Sequence, residues 1–174
     1  HAPFYEAAKR GNIFSGMTAI TGVAPGTAAG TTAAFALYNP AASGVDLVIL
    51  FAGLVYVSGT IGVGSVNWYY HTQTNGSVAI TGTAISVQRA NGQASAGKGL
   101  PFTTATVVAG LLARPFCSLA PWLATSVLAP YQVLDKVDGA IVVAQGHGVT
   151  LQATAGAGTA PLVAYGCTWE EVPV

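Results

Sequence analysis

Charge is the scarcest thing in this chain. Of 174 residues only 7% are ionic, six Lys or Arg against six Asp or Glu, where an ordinary soluble domain has about a quarter. The six basic residues are scattered, so no stripe exists to neutralise phosphate, and nucleic acid is not expected as a partner. Long apolar runs are missing too. The longest, residues 47–57, is eleven residues and gives way to the Gly-rich SGTIGVGS, too short and too polar for a membrane-spanning helix. There is no GxSxG elbow, no phosphate loop with its Lys, and no histidine or cysteine in a zinc-ligand spacing, so the leading expectation is a chain with no catalytic site and no cofactor. Cysteine is limited to Cys117 and Cys167, which either pair in an oxidising compartment or serve as small buried hydrophobes in neighbouring strands.

What remains is 52% hydrophobic, with 22 glycines and much Ala, Thr and Ser. Net charge is zero, so no electrostatic repulsion keeps copies of the chain apart, and self-association is the natural inference. The length suits one domain with a real core. Low charge and small polar side chains suit an extracellular or particle-surface protein. The start at His1, without Met, reads as a processed or trimmed terminus.

The run 47–57 is predicted to be a strand buried on both faces, hairpin-paired with residues 61–70 about Ser58-Gly59-Thr60. Around it, short β patterns recur between turn signals at Asn39-Pro40, Asn75-Gly76, Asn91-Gly92, Asp138-Gly139 and Gly146-His147-Gly148. A β-rich run over 103–112 closes at Arg114-Pro115, and 117–130, cut by Pro121 and Pro130, reads as a loop crossing one end. Eight or nine strands result. The expected fold is all-β, a single sandwich of jelly-roll or immunoglobulin-like type with an N-terminal extension.

That extension divides the chain into 1–31 and the sandwich domain 32–174. Residues 1–10 have the spacing of a short helix, whereas 12–20 have apolar side chains on both faces, as a strand seeking a groove would. Asn12, Ile13, Phe14, Met17 and Ile20 are therefore the candidate assembly arm, set off by the Gly, Ala, Thr and Pro-rich linker 21–32. Trp68 and Tyr70 are candidate subunit contacts, since Trp68-Tyr69-Tyr70 puts rings on both faces of one strand. Asn75 begins an N-glycosylation triplet.

Three histidines invite a copper reading, an N-terminal His1 brace completed by His71 or His147 with Tyr165 near the axial position, as in polysaccharide monooxygenases. The plainer expectation is a rim position for His71 and a solvated turn for His147. Asp138 is expected to stabilise its turn, and Glu170 and Glu171 to form a solvated, edge-protecting terminus.

The stretches FALYNPAASGVDLVIL, LVYVSGTIGVG and PLVAYGCTWEEVPV, with GNIFSG near the start, resemble uncharacterised β-sandwich proteins of phage and environmental bacterial origin. The resemblance implies a fold and no reaction. In plan the chain is also similar to donor-strand-exchange, pilus-like fibre subunits. That likeness implies a non-enzymatic, self-assembling filament subunit on a cell surface, partnered by copies of itself; the alternative is a virion decoration or spike protein.

Overall fold

The computed structural model describes residues 4–72, 79–119, 132–155 and 158–174. Apolar, β-branched and aromatic runs become strands wherever one face can be buried, and strand makes up about 60% of the structure against 4% helix. A short helix, α1 (Tyr5–Arg10), precedes β1 (Ile13–Met17), β2 (Thr32–Tyr38), β3 (Val45–Ser58), β4 (Gly64–His71), β5 (Thr81–Ala84) and β6 (Val87–Arg89). There follow β7 (Leu100–Thr106), β8 (Leu111–Leu119), β9 (Gln132–Val143), β10 (Gly148–Ala155) and β11 (Leu162–Pro173). They form two antiparallel sheets, one in the order β6-β1-β11-β3-β9 and the other β5-β7-β2-β10-β4-β8. The all-β sandwich expected from the sequence is the observed architecture. No described helix is long and apolar enough to cross a membrane.

The core lies between the sheets. Phe14, Leu47, Ile49, Leu54, Tyr165 and Trp169 from the first meet Phe35, Leu37, Val66, Trp68 and Leu151 from the second. Phe14 stacks on Trp169 with ring centroids 6.3 Å apart, and the Arg89 guanidinium lies over the Phe14 ring, 5.5 Å from its centroid. A smaller cluster of Ala36, Tyr38, Ile80, Ala105 and Val107 covers part of the outer face of the second sheet.

Several expectations change. The run in β3 is buried most deeply on its inner face: Leu47, Ile49 and Leu54 are inaccessible, whereas Val55 on the outer face is 38% exposed. β3 and β4 are not a hairpin. They sit in different sheets, and the chain turns from one to the other at Gly59, whose φ of 85° and whose contact with the Ala160 carbonyl leave no room for a side chain. Asp138-Gly139 is a bulge inside one long strand, not a turn between two. The pairing jumps from Ile49↔Ile141 to Phe51↔Lys136, and both bulge residues take the positive φ that a tight turn would also require. Arg114-Pro115 does not end a strand either. β7 stops at Thr106, and Pro115 sits within edge strand β8, where a missing N–H is tolerated.

The arm differs most. In this chain β1 is an interior strand, paired with β11 from Ile13↔Glu170 to Met17↔Gly166 and with β6 from Phe14↔Arg89 to Gly16↔Val87. The linker is pinned rather than loose: Val23 bridges Val163, and the Gly30 amide donates to Gln152 Oε1. An extended segment crossing the domain must place its main-chain groups somewhere, and these are their partners.

One polar group ties the sheets together through the core edge. Asp135 on β9 accepts from Trp68 Nε1 on β4 at 2.9 Å and from Arg114 Nη2 on β8 at 2.8 Å. The Arg114 side chain is about a third exposed, which screens its share, whereas the indole is fully enclosed. Asp135→Ala, which orphans that N–H, is expected to lower unfolding free energy by about 2 kcal/mol in urea titrations, with Asp135→Asn losing less.

Candidate functional site

The described residue types that most often carry chemistry are engaged in structure. His71 is buried, not on a rim. Its Nδ1 donates to the Val108 carbonyl at 2.8 Å, so the neutral ring presents Nε2 as an acceptor to the Thr150 hydroxyl, also at 2.8 Å. Thr150 in turn accepts from Gln152 Nε2. Burial pushes the His71 pKa below its ordinary value, and the bond to Val108 offsets part of that. With both nitrogens taken, His71 is not set to ligate copper. Tyr165 lies in the other sheet with its hydroxyl inside the core, its pKa raised by burial and then by nearby Cys117. His147 is half-buried and bonds the Gln145 carbonyl through Nδ1. His1 and Asn75 fall outside the described residues. Among the described residues no three His, Cys, Asp or Glu side chains are grouped to hold a metal ion.

The cysteines are not joined: Cys117 is on β8 and Cys167 on β11, in opposite sheets. Cys167 fills core space, and burial drives its thiol pKa up. Trp68 and Tyr70 are not on an outer face. Period two puts both inward, Trp68 fully buried and Tyr70 packed half-buried against the core. Glu171 is not a solvated terminus: β11 is an interior strand, and Glu171 Oε1 accepts from the Lys98 and Gly99 amides at 2.7 and 2.9 Å.

The open feature is the outer face of the first sheet. Across β1, β11, β3 and β9 the register aligns Met17, Gly166, Gly53 and Leu134 in one row, and Ser15, Thr168, Phe51 and Lys136 in the next. Paired glycines in two interior strands leave a dent. With Met17, Ile20 and Leu134 around it, this forms a groove of about 570 Å³. Met17 is 47% exposed, Leu134 63% and Ile20 81%. At one end Phe4 packs edge-on against Phe51 with centroids 6.0 Å apart, next to the Lys136–Asp138 pair. Elsewhere the groove lining is uncharged.

Of the expected arm, Met17 and Ile20 line this groove, Ile13 and Phe14 are buried, and the Asn12 carbonyl accepts from the Glu171 amide. Gly53, Gly166 and Leu134 belong to no functional motif in the sequence, although an isolated Gly in LFAGLVY and in VAYGCTW is the signal of a close approach. No family model matches the chain, and no curated protein or solved structure does.

Two outcomes follow. The unfolded chain binds the His71 proton as pH falls through about 6.5, while the fold holds the ring neutral to lower pH. Stability is therefore full above that pH and is lost below it, by at most about 1.4 kcal/mol per pH unit, until the lower folded pKa is passed. Denaturation from pH 7.5 to 5 measures this, and His71→Gln should flatten the slope. Separately, thiol titration of denatured, unreduced protein should find two thiols.

Proposed function

We propose that this chain is a non-enzymatic structural subunit that assembles with copies of itself into an extracellular, pilus-like filament, β1 of one copy completing the first sheet of the next. The observation that carries the reading is the slot between β6 and β11, filled by a short strand near the start of the chain. A strand held by main-chain bonds, with Phe14 seated on Trp169, is recognised without charge, and an identical strand from a neighbour meets the same slot. Freed from their bonds at Val23 and Gly30, the fourteen residues between β1 and β2 reach roughly 46 Å when extended, enough to pass to an adjacent copy.

Other main-chain routes are blunted. Edge strands β5 and β6 have four and three residues, β8 contains Pro115, and β9 carries the Asp138-Gly139 bulge with Lys136 beside it. Exchange of β1 avoids all four. A second reading, a virion decoration or spike subunit in a closed oligomer, is favoured by the ridge-and-dent face, which can meet itself about a two-fold axis.

Disulfide trapping tests the exchange. Thr18 and Tyr165 form a hydrogen-bonded pair, as do Asn12 and Glu171, so alternation makes Ser15 and Thr168 a non-hydrogen-bonded pair, the geometry a cross-strand disulfide prefers. Oxidised assemblies of the Ser15→Cys, Thr168→Cys chain should run as a covalent ladder on a non-reducing gel. Assemblies yielding only internally linked single chains would overturn strand exchange. Electron micrographs separate filaments from closed particles.

A further inference from the structure

We infer that the glycine-floored outer face of the first sheet is a self-association surface, whose occupant is the same face of a second copy of this chain. The inference rests on the self-assembly reading above and supplies a contact that needs no strand exchange.

It starts from two residues the fold does not require. Gly53 and Gly166 face each other in register on interior strands, and neither has a positive φ. A Cβ at Gly53 would come no nearer than 3.6 Å to another atom, and one at Gly166 no nearer than 3.8 Å, so nothing inside the domain excludes a side chain. Glycine weakens a strand interior and is otherwise kept where an outside group approaches the backbone. Here the room opens outward, into the groove.

The flanking side chains indicate what fills it. Met17 on one side of the dent and Leu134 on the other stand on the same row, largely exposed, so the face carries both knob and hole. About a two-fold axis each copy's knob meets the other's dent, as an isologous contact demands. The groove lining is uncharged, giving no handle for a charged partner such as nucleic acid or an acidic peptide, whereas a like face matches it without leaving an ion unpaired. Area points the same way. Five strands at about 4.8 Å spacing and some six residues of length span roughly 24 Å by 20 Å, so two copies bury about 1,000 Å². That is the lower bound for a specific interface and describes a weak dimer, suited to a subunit held by more than one contact.

The experiment is sedimentation of the full chain over a range of concentrations, beside Gly53→Thr/Gly166→Thr and Leu134→Lys. Threonine fills the dent with a strand-favouring side chain, so the double variant should melt no lower than the parent yet dissociate with a Kd at least tenfold higher. Leu134→Lys, at an exposed position, should keep the fold and lose association to a similar degree. If the parent assembles and both face variants assemble equally well, the face is refuted while self-assembly stands. A parent that stays single at every concentration refutes both. Pelleting of the parent with phosphatidylcholine vesicles, lost in the glycine variants and without any dimer, would assign the face to lipid and overturn the inference.

Discussion

β11 is bonded along both sides, to β1 near the start of the chain and to β3 in its first half, and the first sheet exists only through it. An interior strand cannot leave its amides and carbonyls unmet, so the last dozen residues dictate where the first twenty go. The consequence reaches into side-chain chemistry. Because β11 is interior, its inward residues Tyr165, Cys167 and Trp169 are core, and Glu171 is drawn under the 98–99 loop as an acceptor for two main-chain amides. Pairing over nearly the whole sequence also means that the sheet cannot close until the C-terminal strand is present, the non-local closure that slows β folding.

With few ionic groups, the domain manages its polar interior by short, specific bonds. Asp135 joins the sheets at one edge through an indole and a guanidinium. Asn39, at the end of β2, donates to the carbonyls of Val45 and Val143 and gathers three strands at one end. His71, Thr150 and Gln152 link the Val108 carbonyl to the Gly30 amide along the outer side of the second sheet. Each is worth little alone, but each leaves a costly orphan if broken, so they select one arrangement of strands that an apolar core alone would not.

The exposed surface follows the opposite logic. On the outer face of the first sheet the chain shows Met17, Val55 and Leu134 around a glycine floor, with the Lys136–Asp138 pair at one end. An apolar face of this kind on a neutral chain loses less free energy to water when it meets another apolar face. The blunted edges disfavour edge-to-edge pairing, and the face contact and strand exchange proposed above do not depend on it.

The sequence by itself determined that this is an all-β chain. Periodicity and turn dipeptides are local, and they located β3, β4, the short helix and the turn at Gly146. It did not contain which strands lie side by side. A Gly at position 59 serves a hairpin or a change of sheet equally well, and Asp138-Gly139 needs the same left-handed dihedrals in a turn or a bulge. Nor did hydrophobicity reveal that Trp68 points inward, that the two thiols sit in opposite sheets or that paired glycines make a dent. Those outcomes depend on partners distant in sequence, and only the tertiary pairing, set by the need to satisfy every main-chain group while burying one face of each sheet, decided them.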